Sequence, residues 1–238
     1  SFYSIARISD NEFWAGGESG VLKRIDSLGN VSSIDYPNLG HDILKIRSHK
    51  NSIYIATSNA TIYRYNKETS DFSVKYFPEF DGKCFYDLII LPEGNLAVCG
   101  GAMGIAKAEK RIPKGFVALV DAELDSIEVV WKSIRRFVWS VLDSNESGIM
   151  AVTFNGINTR LISTKDFKNW KNEARIKGLV HRVVKLEDNL WYSGTRNLRY
   201  KQKGIMGNQN AKFKSTINER GCLWSFCSVG ESIAYTSY

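Results

Sequence analysis

The chain has 238 residues, 43% of them hydrophobic and 24% charged, with a formal net charge of +7. That composition is ordinary for a folded protein and excludes global disorder, and no apolar run approaches the roughly 18–20 residues that a membrane-spanning helix needs. The length suits one domain over residues 1–238 with a substantial core.

The predicted elements follow in chain order from alternation and turn residues. A first strand at 3–9 (YSIARIS) leads through a polar turn at 9–12 into a compact apolar run, FWAGG at 13–17, and a third strand at 21–26. The second period repeats this order with strands at 42–48, 54–58 and 61–66 and a more polar fourth strand at 71–77. The third places strands at 84–91, 96–100, 116–121 and 126–132, and the fourth at 138–144, 150–154 and 159–164. The fifth follows with 180–186, 190–194 and 198–203, and the sixth with 223–229 and 233–237. The second residues of the compact runs are Trp14, Ile55, Ala97, Ala151, Trp191 and Ala234, separated by steps of 41, 42, 54, 40 and 43. Strand-built self-similarity at about 41 residues marks an all-β fold, a β-propeller with one four-stranded blade per period. The compact run is continuously apolar because a mid-blade strand is covered on both faces by neighbouring blades. Six blade positions are expected. The last is incomplete at Tyr238, which predicts either a short closing blade or continuation in a longer chain. The 54-residue step contains an insertion at 103–114, and residues 201–214 form a long Gly-, Asn- and Lys-rich hairpin. Either loop is a candidate functional element or a tolerated surface insertion.

The second period carries a more specific pattern. Gly40-His41 precedes a first strand, a turn, a small-residue second strand and a third strand ending in Tyr65-Asn66. This resembles a WD40 repeat, in which Trp-Asp usually stands where Tyr65-Asn66 does. The third period matches the same pattern over its first half, at 88–101, and no period ends in Trp-Asp. The resemblance implies a rigid interaction disc, with His41 in a hydrogen-bond network inside its blade and His181 at a similar position. The segment STKDFKNW at 163–170 is similar to a degenerate Asp-box turn, a structural feature of the outer edge of sialidase-like blades.

No catalytic constellation emerges. His41, His49 and His181 lie in different periods without metal-ligand spacing. Cys84, Cys99, Cys222 and Cys227 have no CxxC spacing, so no metal and no cofactor is expected. The cysteines read as buried thiols in a reducing, intracellular compartment, with a Cys84–Cys227 bridge as the secreted alternative. The acids Asp42, Asp87 and Asp143 near the blade starts are not in equivalent registers, which argues against the carboxylate pair of a channel hydrolase. The glycines at 100–104 lack both phosphate-loop spacings and read as a strand exit. Trp14, Trp139, Trp191 and Trp224 read as packing between blades, and Trp131 and Trp170 as half-exposed on outer strands.

Charge is the informative asymmetry. Residues 160–214 hold 14 Lys or Arg against 4 Asp or Glu, whereas 1–159 hold 17 against 19. Loops that share one disc face carry Arg135, Arg136, Arg175, Lys177 and Arg220, with Arg196 and Arg199 nearby and Phe154 and Asn155 beside them. His41, Asn59, Phe80 and Lys83 are expected on the same face. Arginine forks suit carboxylate and phosphate, so this sector is expected to bind an acidic or phosphorylated segment of a partner protein. A nucleic-acid backbone is the alternative partner. Lysines of the outer strands, such as Lys165, Lys168 and Lys171, read as solvated edges that discourage edge pairing.

Overall fold

The computed structural model describes residues 1–102, 115–144, 148–177, 180–186, 189–194, 197–201, 214–218, 223–229 and 232–237. The side chains are described over 1–102, 115–143, 148–176 and at 180. Blade one contains β1 (Phe2–Ser9), β2 (Glu12–Gly17), β3 (Leu22–Asp26) and a three-residue outer strand, β4 (Val31–Ser33). Blade two contains β5 (Ile43–His49), β6 (Ser52–Thr57), β7 (Thr61–Asn66) and β8 (Asp71–Tyr76). Blade three contains β9 (Lys83–Ile90), β10 (Leu96–Ala102), β11 (Gly115–Val120) and β12 (Ile127–Ser133). Blade four contains β13 (Phe137–Ser144), β14 (Gly148–Phe154), β15 (Asn158–Thr164) and β16 (Lys171–Lys177). All pairings are antiparallel between consecutive strands, the up-and-down order of a propeller blade.

These four blades are described with their side chains, fewer than the six blade positions expected from the sequence. Beyond them, β17 (Val180–Leu186), β18 (Asn189–Gly194), β19 (Asn197–Lys201) and β20 (Lys214–Asn218) pair as a four-stranded sheet. The pair β21 (Leu223–Val229) and β22 (Ser232–Ser237) forms a two-stranded sheet, and β21 touches both β17 and β1. Six full blades are therefore not what the described residues show, because the last sheet has two strands. The expected features at 103–114 and 204–211 lie outside the described residues.

The core is a set of layers between blades. Trp14, Leu22, Ile46, Ile55 and Tyr63 fill the seam between blades one and two, and Ile62, Phe77, Phe85, Val98 and Phe116 that between two and three. Ala97, Cys99, Val117, Val141, Ala151 and Ile162 join blades three and four. This is why the mid-blade strands are apolar throughout: residues 53–57 and 96–101 are all buried. The outer β8 and β12 are mostly exposed or half-buried. Each large aliphatic side chain so buried contributes about 1.5–3 kcal/mol.

The turn from third to fourth strand is built alike in blades one to four. Asp26 Oδ1 accepts from the backbone N–H groups of Leu28 and Asn30 at 2.9 Å, and Asn66 Oδ1 from those of Glu68 at 2.9 Å and Thr69 at 3.4 Å. Asp121 Oδ1 accepts from Glu123 at 3.0 Å and Asp125 at 3.1 Å, and Asp166 Oδ1 from Lys168 at 3.0 Å and Asn169 at 2.8 Å. A short carboxylate or amide at this point ties down its own turn, the usual role of Asp and Asn in turns. Asp166 does so inside the Asp-box-like segment, where Phe167 takes the left-handed conformation at φ 58°. These bonds favour the ionised carboxylates. For Asp26 and Asp166, hydrogen bonds from Asn30 and Asn169 are the largest cause, and both groups are lowered from the ordinary value. Burial pushes Asp121 up, but bonds from Ser126, Asp125 and Glu123 outweigh it and hold the group at about 2.

Candidate functional site

Each innermost strand carries a register irregularity at one matched point. The extra residues are Tyr3, Leu44, Tyr86, Trp139, His181 and Trp224, each followed by a register position occupied by Ser4, Lys45, Asp87, Ser140, Arg182 or Ser225. A bulge repeated in this way turns and twists each strand where it lines the axis. Where side chains are described, these positions tie blades together. Ile46 N donates to Ser4 Oγ at 2.9 Å, from blade two to blade one. Lys45 Nζ reaches Asp87 Oδ1 at 3.4 Å, and both side chains are almost fully buried, at 3% and 1% exposure. Ser140 Oγ donates to Asp87 Oδ2 at 2.6 Å and Val141 N donates to the same oxygen at 3.3 Å. Asp87 is thus the acceptor through which blades two, three and four are joined at the axis.

The other acids suspected at the blade starts lie elsewhere. Asp42 precedes β5 and accepts from Ser19 N at 2.9 Å, whereas Asp143 is exposed near the opposite end of β13. The three sit at different heights along the axis. Among the described residues no three His, Cys, Asp or Glu side chains group as a metal site. His41 Nε2 lies 3.1 Å from the Asn59 amide nitrogen, inside blade two. Cys84 and Cys99 are buried, and burial pushes the Cys84 thiol up to about 12; the side chain of Cys227, the partner in the expected alternative bridge, lies outside the described residues.

The basic residues of the disc face converge where blade four meets blade three. Phe137 pairs with Phe154, so the loop at 134–136 and the turn at 155–157 stand at the same end of the blade. Thr153 pairs with Arg160, and Arg160 with Arg175, directly opposite across β14, β15 and β16. Paired residues point to one face of a sheet, here the face that packs on blade three through Ile149, Ala151 and Ile162. Arg136, half-buried, donates from Nη1 to Thr153 Oγ1 at 3.4 Å and so joins this row. Burial, followed by the positive charges of Arg160 and Arg175, lowers the Arg136 guanidinium pKa. Gly115 allows the approach of this loop: a Cβ there would lie 2.4 Å from the Arg136 carbonyl oxygen.

Of the residues expected from the sequence, Arg135 and Arg175 are exposed, Arg136 is half-buried, and Phe154 is half-buried at the end of β14. Asn155 shapes the following turn, its Oδ1 accepting from Ile157 N at 3.1 Å and Asn158 N at 2.8 Å. The side chains of Lys177 and Arg199, and Arg196 and Arg220 as a whole, lie outside the described residues. Phe80 and Lys83 are corrected: Phe80 is buried at 3% exposure, with Lys83 Nζ 5.0 Å from its ring centroid, so this pair belongs to the core rim and not to an exposed face. Arg160 was missed because it reads as an ordinary strand residue. Its pairing with Thr153 and Arg175 would have followed from aligning the β14–β15–β16 hairpins residue by residue. Trp139 packs 4.6 Å from Tyr86 and stacks on Phe137 at 5.9 Å, so it is packing between blades, as expected.

No protein-family profile matches the chain, and no curated protein matches it in sequence. Similarity to solved structures is extensive. A streptogramin B lyase matches with a TM-score of 0.70 at 10% identity, over 99% of this chain and 76% of that one. A chain of a nidogen/laminin complex matches with a TM-score of 0.67 at 12% identity, over 90% and 78%. The β-propeller domain of Cps50 (Swd1) from Myceliophteria thermophila matches with a TM-score of 0.65 at 10% identity, over 100% and 80%. The fold is a β-propeller. Among the described residues no helix is long and apolar enough to cross a membrane.

Proposed function

We propose that this propeller is a non-enzymatic, WD40-like scaffold that works inside the cell and binds a partner protein through one disc face. The arginine sector around Arg135, Arg136 and Arg175 makes the electrostatic contact, with Lys177, Arg196, Arg199 and Arg220 extending it and Phe154 and Asn155 at its edge. One observation carries this reading. Among the described residues, Arg136, Arg160 and Arg175 share one seam, with Arg135 exposed in the adjoining loop, and none has a carboxylate at ion-pair distance, while Arg7, Arg24 and Arg64 each have one and Arg47 donates to a backbone carbonyl. Uncompensated positive charge on a rigid surface steers an acidic partner and sets its orientation. The buried thiols Cys84 and Cys99 fit a reducing compartment.

The test is affinity capture with the native chain and an Arg135/Arg136/Arg175/Lys177→Glu variant, each with and without nuclease. A protein partner lost in the variant and indifferent to nuclease is expected. Loss on nuclease treatment would favour a nucleic-acid partner, and identical capture in all four samples would overturn the reading.

A further inference from the structure

We propose that Arg136, Arg160 and Arg175 form a seat for a phosphate monoester on a partner peptide, and that Ile134 and Ile157 receive an apolar side chain beside it. This rests on the reading that the arginine face binds a protein segment, and it specifies the chemistry of that segment.

The register supplies the first argument. Arg160 stands directly opposite Arg175, an arrangement in which like charges repel unless an anion lies between them. Arg136 adds a third cation to the same seam by its bond to Thr153, whose own Oγ1 donates to the Arg160 carbonyl at 3.4 Å. Among the described residues no carboxylate, Glu173 on the same strand included, lies at ion-pair distance from them; Glu173 Oε1 accepts from Ser163 Oγ. The second argument is an unmet donor. Arg160 Nε is buried and has no hydrogen-bond partner, and a buried N–H left in that state is costly. The atom itself is not exposed, so it meets an incoming anion only when the half-buried Arg160 side chain turns outward on binding.

Charge and shape select the anion. A phosphate monoester carries about −1.5 to −2 at neutral pH and three acceptor oxygens, which suits three guanidinium forks better than a single carboxylate does. The isoleucines select the carrier. Ile134 and Ile157 are 65% and 70% exposed, on the loop and the turn at the seam's end of blade four. A peptide with an aliphatic residue next to the phosphorylated one would cover them, whereas a nucleic-acid backbone would leave them in water.

The probes are fluorescein-labelled degenerate peptide pools with a fixed central phosphothreonine, threonine or glutamate and leucine at the flanks, read by fluorescence anisotropy on the full chain. The phosphothreonine pool is expected to bind at least tenfold more tightly than either other pool. Arg160→Gln and Arg175→Gln should each remove most of that preference. Ile134→Ser with Ile157→Ser should weaken all pools several-fold and leave the phosphate preference intact. Arg7→Gln, remote and paired with Asp10, should change nothing. Circular dichroism and thermal melts verify each variant's fold, and Arg160→Lys, which keeps the charge but loses the fork, replaces Arg160→Gln if that variant does not fold. Equal binding of the three pools would overturn the proposal, as would a phosphate preference that survives all the arginine substitutions or stronger competition by single-stranded DNA than by the phosphopeptide. A partner captured through the arginine face from phosphatase-treated lysate would overturn the phosphate seat and leave the broader scaffold reading standing.

Discussion

Asp87→Ala should be among the most damaging single substitutions in this protein, and its cost can be worked from the axial contacts. The substitution removes the acceptor of Lys45 Nζ, Ser140 Oγ and Val141 N together, at a position 1% exposed. Lys45, itself 3% exposed, would keep an ammonium group in the interior without its counter-ion. Breaking a buried pair from one side costs about 3–5 kcal/mol, a large part of the about 5–15 kcal/mol that stabilises a typical folded protein. Replacing both partners by apolar residues, as in Lys45→Met with Asp87→Leu, removes the stranded charge and should cost less than Asp87→Ala alone. The assay is urea unfolding of the two single variants and the double, with the slope m compared to confirm that only stability has changed. Ser4→Ala gives an internal scale, since it strands only the Ile46 N–H and should cost about 1–3 kcal/mol. A cost below about 1 kcal/mol for Asp87→Ala, or strict additivity in the double variant, would refute the reasoning that the axis is clasped through this carboxylate.

Two further outcomes follow from the turns and seams. Asp121 is held at about 2 against an ordinary 3.8, so its contribution is fully present above the unfolded value and is lost as pH falls from about 4 through about 2. Melting temperature followed from pH 5 to pH 2 should fall through that window, and more shallowly in Asp121→Asn; parallel curves would contradict this. Gly100→Ala should destabilise by about 1–3 kcal/mol or more by overpacking, because the added Cβ would lie 2.0 Å from the Cys84 carbonyl oxygen and 2.8 Å from the Phe116 ring. Gly29→Ala meets nothing within 4 Å and suffers only from φ +84°, so it should be the milder of the two in denaturant titrations.

How much of this could be read from the chain depends on the range of the interaction. The blade period was legible because burial on both faces forces every mid-blade strand to be apolar, which leaves FWAGG, LAVCG and MAVTF as an unmistakable repeat. The limits of the three inner strands in blades one to four were placed within about two residues, whereas the outer strands of blades one and four, Val31–Ser33 and Lys171–Lys177, were given no limits. The bulge was not legible, since Tyr3, Leu44, Tyr86 and Trp139 share position but not residue type. The axial clasp was hidden likewise. Ser4, Lys45, Asp87 and Ser140 occupy one structural position, yet a hydroxyl, an ammonium and a carboxylate look unrelated until neighbouring blades bring them within bonding distance. Comparing Asp42, Asp87 and Asp143 sought like chemistry at unlike heights and overlooked unlike chemistry at one height. The sector of Arg135, Arg136 and Arg175 was legible from the blade order, which puts the loops that carry them on one disc face. Arg160 needed the cross-strand register, which a charge count does not contain.

The basic residues of blade four separate into two kinds on physical grounds. Lys168 and Lys171 are exposed at the outer edge, where a flexible ammonium stays hydrated at little cost and keeps the edge from pairing. Arg136 and Arg160 are half-buried at the seam with blade three, and Arg160 and Arg175 face each other in register. Solvation alone does not account for that placement, because desolvated and mutually repelling cations weaken the fold that holds them. The Lys45–Asp87 pair shows how this same protein treats a charge whose role is internal: it supplies the counter-ion and the surrounding hydrogen bonds. The arginine seam has no such internal partner among the described residues. The cost of keeping it is borne by the packing of blades three and four and is offset when an anion from outside occupies the seam, which is why ligand-induced stabilisation by a bound phosphopeptide should raise the melting temperature of the native chain and leave that of Arg160→Gln unchanged.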